Sequence, residues 1–427
     1  MYWFFVSWRR GSGTPARQRS RAVALIGLGL LMLVGCGGPG SSIAAGSTSG
    51  PVFTATPTAT PAPTFTPTPT PTPTMEQLAD AIVAQMSLDD ELGQMLMVRF
   101  PTTDYSSELV PIIEQLHVGS VILFGQNIQT ATQVRALDSA IQAHSPIPVL
   151  IATDQEGGDV NRLQPLIGPQ PSAQDMGATG DPNVPAQAAT VAAQAMSQIG
   201  INVDLAPVVD VQAGPNTGLP TRMFGSTPDV VSQMAGAYLN ALQEHGIIGC
   251  LKHFPGLGSI TVDPEVTLPV VNRSRAQLDA IDLAPYYQLV HDNPGLIMPT
   301  GVLVPALDPN LPASLSPATV TGVLRDEIGY QGVIITDSLA MGSIAQRYSL
   351  PEAAVMAAEA GDDILMALTG GQDVVGSQMD YNAAVAVIAA LKAAIANGTL
   401  TRARIDASVR RILLLKMRFG LYHPTMP

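Results

Sequence analysis

Four apolar runs in this chain end in clusters of charged and polar side chains. One leads into Asp154-Gln155-Glu156-Gly157-Gly158, with Arg162 just beyond. The next leads into Asp204-Leu205-Ala206-Pro207 and, later, Arg222-Met223-Phe224-Gly225. Another delivers Lys252-His253 and then a loop holding Asp263 and Glu265. The last, Gly332-Val333-Ile334-Ile335, delivers Thr336-Asp337-Ser338. Asp, Arg, Lys and His meeting in one place can hydrogen-bond a ring of hydroxyls. A carboxylate among them can attack an acetal carbon or stabilise an oxocarbenium ion. Each residue also has a plainer reading. Asp337 suits an N-cap, because Ser338 and helix formers follow it. Asp154 could bond loop amides, Arg162 could pair with Glu156, and His253 could be a satisfied core histidine. For Asp204 the favoured reading is a brace for the barrel floor or a turn.

For those ends to converge, the runs must be parallel strands that share one face. From Met75 onward, strand-like apolar runs alternate with helical patterns, as a parallel α/β fold requires. Strands are predicted near 92–100, 118–124, 148–152, 202–208, 247–251, 295–298, 332–336 and 363–367. Helices are predicted over 107–116, 184–199, 230–245, 317–327 and 351–360, with an Ala-rich helix near 381–397. A final helix over 401–419 shows Ile405, Val409, Ile412 and Leu415 at helical spacing. Eight strand–helix units fit a (β/α)8 TIM barrel, although a doubly wound sheet would give much the same pattern.

The 427 residues suit a barrel of roughly 250 residues with additions. With 46% apolar residues, a large core can form. Net charge is −13, and residues 1–35 hold five arginines and no acid or lysine, so the remainder is more acidic still. Such a body repels nucleic-acid phosphates, and no nucleic-acid partner is expected. The two cysteines, Cys36 and Cys250, form no disulfide framework, and no spacing resembles a zinc site. Neither a metal nor an obligate protein partner is indicated.

Residues 1–36 have the layout of a signal peptide: a basic start, an apolar run over 22–35, then small residues. The run is shorter than the ~20 residues that cross a bilayer as a helix. Leu33-Val34-Gly35-Cys36 resembles the lipobox of bacterial lipoproteins. That implies export, lipid on the Cys36 thiol and a membrane anchor. Residues 37–74 follow, with Thr and Pro alternating in the second half and no charge. Proline there favours extended backbone without donors, so a semi-rigid, disordered stalk is expected. Residues 75–427 are then the barrel.

Taken together, the motifs from Met75 to Leu421 resemble glycoside hydrolase family 3, in its bacterial β-N-acetylglucosaminidase branch. They are DQEGG with a following Arg, NVDLAPVVDV, R-x-F-G, KHFPG-x-G, LPVV, DPNLPASLSP, GVIITDSL-x-M and a closing RRIL-x-x-K. The resemblance implies a (β/α)8 barrel that often stands alone in this branch, and no cofactor. By position, Asp337 matches the nucleophile. Asp154, Arg162, Arg222, Lys252 and His253 match residues that hold a terminal N-acetylglucosamine, and Met298 is placed with them. The implied reaction is retaining hydrolysis through a covalent glycosyl-enzyme.

The chain departs from the family at the acid/base. The usual loop carries a His held by an Asp two residues before it. Here that loop reads Asp263-Pro264-Glu265, with Glu265 at the His position. Leu257 replaces another His, Gly301 stands where a His is common, and Asp159 stands where Arg is usual. His117, His144, His245, His291 and His423 are expected away from the site. Glu265 is the natural stand-in as general acid, with Asp263 able to raise its proton affinity. The expected function is an exo-glycosidase removing β-linked N-acetylglucosamine, or a related sugar, from cell-wall or other glycans. The alternative is a glycan-binding lipoprotein on the same barrel, impaired in catalysis.

Overall fold

In the computed structural model, the described residues are Gly50, Thr54, 73–214, Leu219, 221–367 and 377–425. The expected signal peptide with Cys36, and almost all of the stalk, lie outside them. Eight parallel strands organise the chain: β1 (Leu96–Arg99), β2 (Ser120–Ile122), β3 (Leu150–Thr153) and β4 (Val203–Asp204), then β5 (Ile248–Phe254), β6 (Leu296–Pro299), β7 (Val333–Ile334) and β8 (Leu365–Met366). Each pairs with the next in chain order, and β8 pairs with β1. A parallel bridge between Ile335 and Ile364 joins β7 to β8 and closes the ring. The fold is therefore the (β/α)8 barrel.

The strands read as apolar runs because they are covered on both sides. Every residue of β1, β3 and β5 is buried, including Leu96, Met97, Val98, Leu150 and Ile151. The intervening helices turn one apolar stripe inward. Helix 183–199 buries Ala189, Ala192, Ala193 and Met196, and helix 228–244 packs beside it. In the last helix, Arg402–Arg418, the periodic Ile405, Val409, Ile412 and Leu415 are all buried.

Two expectations need correcting. Residues 92–94 belong to a helix, Leu88–Gln94, and not to β1. Ser87 caps it by accepting from the Asp90 amide, and Asp89, Asp90 and Glu91 sit in its first turn. Capping and favourable charge at a helix start outweigh the apolar character of Leu92 there. The predicted 317–327 helix is present over Ala318–Glu327, but wound wider as a π-helix that closes with the Ile328 amide on Val323 O, 2.9 Å.

Candidate active site

The C-terminal tips of all eight strands surround one cavity of about 210 Å³. That is smaller than the ~300–1,000 Å³ of pockets for drug-sized ligands and suits a single sugar ring. Asp154, Arg162, Arg222, Lys252, His253, Asp263, Glu265, Met298 and Asp337 all line it. The strand register explains this convergence. Ala152 and Thr153 pair with Val203 and Asp204, and Lys252 pairs with Met298, so the following turns open at one level. Between Lys252 and Phe254 the register with β6 shifts, and both Lys252 and His253 reach the cavity wall. Among the described residues His253 is the only histidine on that wall, as expected.

The inner wall is a charge network centred on buried Glu156 and Lys252, with Asp154 and Arg222 partly exposed to the cavity. Lys252 Nζ lies 2.7 Å from Glu156 Oε1 and 2.6 Å from Asp154 Oδ1. Arg222 donates twice to the Glu156 carboxylate, at 2.7 Å from both Nε and Nη2. Burial alone would raise the Glu156 pKa. Arg222 and Lys252 overcome it and hold the carboxyl well below its ordinary range. The same contacts push Lys252 and Arg222 upward against their burial. All three groups are therefore charged at any working pH. Arg162 does not pair with Glu156; its guanidinium lies 5.7 Å above the Phe124 ring.

His253 is no isolated core histidine. Its Nδ1 lies 2.8 Å from Asp210 Oδ2, while Arg222 Nη2 sits 3.5 Å from Nε2. The Asp210 carboxylate accepts, so Nδ1 is the donating nitrogen of that pair. Asp210 also accepts the Leu257 amide at 2.7 Å, tying the next loop to the same carboxylate. Asp204 braces a turn, as favoured. It accepts the Gln155 amide at 2.9 Å, and burial pushes its carboxyl well above the usual range.

Asp337 stands half-buried at the tip of β7, facing the cavity. Oδ1 accepts the Ser338 amide at 2.8 Å, and Oδ2 accepts the buried Thr300 hydroxyl at 2.7 Å. It is not an N-cap: the next helix, Gly342–Ala345, begins after Met341. Two donors fix the plane of this carboxylate and leave it facing the space a ligand would fill.

Glu265 sits on an exposed loop at the mouth. Asp263 Oδ1 accepts the Glu265 amide at 2.9 Å, so its carboxylate shapes the turn that carries Glu265. Gly301 packs against the 342–345 helix. A Cβ there would collide with Ser343 Oγ, so a side chain at this position requires Ser343 to move.

Glu156, Asp210, Thr300 and Arg99 are site residues that sequence reasoning missed. Glu156 and Asp210 lie inside recognised motifs, which was the available signal. Arg99, at the tip of β1, lines the cavity while its Nε bonds Asp380 at 3.1 Å.

A parallel barrel whose mouth gathers carboxylates with cationic hydrogen-bond donors has the layout of a sugar-cleaving enzyme. The model for the glycosyl hydrolase family 3 N terminal domain matches residues 87–415, and the chain belongs to that family. It is 32% identical over 388 residues to "Beta-hexosaminidase A" of Pseudoalteromonas piscicida, covering 80% of this chain and 63% of that protein. It is 33% identical to "Beta-hexosaminidase LpqI" of Mycobacterium tuberculosis, covering 78% of this chain and 84% of that one. Among solved structures, a family 3 β-N-acetylglucosaminidase from Paenibacillus sp. str. FPU-7 superposes with a TM-score of 0.75 at 34% identity. That match covers 80% of this chain and 64% of the other. The chain thus spans somewhat under two thirds of the length of the first of these relatives and of that solved protein.

Proposed function

We propose that this protein is a retaining exo-glycosidase that removes terminal, non-reducing β-linked N-acetylglucosamine from glycans. Asp337 attacks C1 of the sugar while Glu265 protonates the departing oxygen. Glu265 then takes a proton from water, which attacks the same carbon and frees Asp337. Asp154, Arg162, Arg222, Lys252 and His253 hold the ring hydroxyls and the acetamido group, with Met298 packing beneath. Asp263 keeps Glu265 at the mouth by holding its amide. The observation that carries this reading is the Asp337 carboxylate at the cavity wall, with one oxygen on the Ser338 amide and the other on Thr300. Family membership and the names of its relatives support it independently.

The test is Asp337→Asn assayed on a chromogenic β-N-acetylglucosaminide. Loss of nearly all wild-type turnover is expected. Wild-type protein that binds the sugar without cleaving it would make this a glycan-binding barrel instead. We further propose that residues 1–36 direct export, that Cys36 carries lipid, and that residues 37–74 hold the barrel away from the membrane, within reach of cell-wall glycans. Cys36→Ala should move the protein from the detergent phase to the aqueous phase of a lysate partition. Unchanged partitioning would refute the anchor.

A further inference from the structure

The loop carrying Glu265 is joined to the segment carrying Asp337 by main-chain contacts. The Gly342 amide donates to Glu265 O at 2.9 Å, and the Ser343 amide donates to Pro264 O at 3.1 Å. Gln346 Nε2 donates to Val266 O at 2.6 Å. Three consecutive carbonyls of an exposed loop are thus held by one short segment. That segment starts five residues after Asp337 and belongs to the same β7 loop. The approach is close enough to require glycine at 342. A Cβ there would collide with Val266 O and lie 2.7 Å from Glu265 O. The anchoring segment is itself set by its neighbour: Ser343 packs on Gly301, the residue after Thr300, whose hydroxyl holds Asp337. The loops of β5, β6 and β7 therefore form one contiguous unit around the two carboxylates.

We propose that Gly342 and Gln346 are positioning residues that fix Glu265 relative to Asp337. This inference rests on the acid/base reading of Glu265. Without the anchor, an exposed loop carboxylate would sample many positions. Proton transfer needs it within hydrogen-bond reach of the leaving oxygen. With the anchor, the backbone of an exposed loop is held in fixed relation to the segment that carries the nucleophile.

The test uses leaving-group dependence, which a general loss of structure would not change. Gly342→Ala must push the loop back by the order of 1 Å, a displacement that can cost ~10²-fold in a positioned step. On an alkyl β-N-acetylglucosaminide, whose leaving oxygen needs a proton, kcat/KM should fall roughly 30–100-fold. On a dinitrophenyl glycoside, whose leaving group needs none, the fall should stay within about threefold. This pattern should match Glu265→Gln. Gln346→Ala removes a contact of an exposed side chain and does not threaten folding; it should show the same bias, at roughly three- to tenfold on the alkyl substrate. Equal losses on both substrates, or no loss for either variant, would overturn the anchor while leaving the glycosidase reading intact. Wild-type protein without turnover on either substrate would refute the glycosidase reading itself, and the anchor with it.

Discussion

Replacing Glu156 by Gln tests whether the inner wall is held by charge. The carboxylate is buried and accepts from Lys252 at 2.7 Å and twice from Arg222 at 2.7 Å. Glutamine keeps the shape but supplies one neutral acceptor to buried Lys252 and partly exposed Arg222. Breaking a buried ion pair from one side costs about 3–5 kcal/mol, because the remaining charge stays desolvated. For a domain of this size that corresponds to a fall in Tm of roughly 5–10 °C. The loss has a pH signature whose sign follows from linkage. The folded-state pKa of Glu156 is depressed, so its stabilisation is fully present above the ordinary glutamate value of 4.5. It is lost progressively as pH falls toward the much lower folded value. The wild-type advantage over Glu156→Gln should be constant near neutrality and shrink once the pH drops below about 4. Thermal melts across this range, with sugar binding by calorimetry at neutral pH, supply the readout. Weaker binding should accompany the lower Tm, since Lys252 and Arg222 lose their fixed positions. A Tm difference below about 2 °C, or one unchanged from neutrality to acid, would refute the reasoning.

Thr300→Val leaves Asp337 Oδ2 without the hydroxyl that holds it at 2.7 Å. Hydrogen bonds to charged groups are worth about 1.5–3 kcal/mol, so roughly 10–100-fold slower release of the glycosyl-enzyme is expected in pre-steady-state kinetics, with recovery in Thr300→Ser. Asp138 is buried beside Gly200, and no hydrogen-bond partner meets either oxygen among the described residues. Burial pushes its carboxyl up to about 8, so the acid form favours folding at low pH and that contribution fades as pH rises through the folded value. Asp138→Asn should therefore gain on the wild type between about pH 5 and pH 9, by roughly 4 kcal/mol in chemical denaturation, and a pH-independent difference would contradict it.

Much of the barrel was legible because parallel strands are buried on both faces and leave unbroken apolar runs. Those near Leu96, Leu150 and Ile248 are examples. The error at 92–94 arose where an N-cap and an acidic first turn converted the start of such a run into helix. Site membership was legible where residues sit at strand tips, since register alone brings Asp154, Lys252 and Asp337 to one cavity. Pairings were not. Glu156 chooses Lys252 and Arg222 over the nearer Arg162, and Asp210 takes His253, through contacts spanning 43 or more residues that no local pattern encodes. Thr300 drew no reading from the sequence, and its hydroxyl acquires meaning only when β6 lies beside β7. The turn at Asp263 gives the residue a backbone partner that composition cannot reveal.

In the proposed reaction the carboxylate of Asp337 becomes covalently bound to the sugar. Incubating the protein with a ring-fluorinated β-N-acetylglucosaminyl donor bearing an activated leaving group should slow release and trap the adduct. Peptide mass spectrometry should then find one added glycosyl mass on the segment containing Thr336-Asp337-Ser338, absent from Asp337→Asn. Turnover of ordinary substrate with the label on another carboxylate, or inverted product configuration with no label at all, would contradict it.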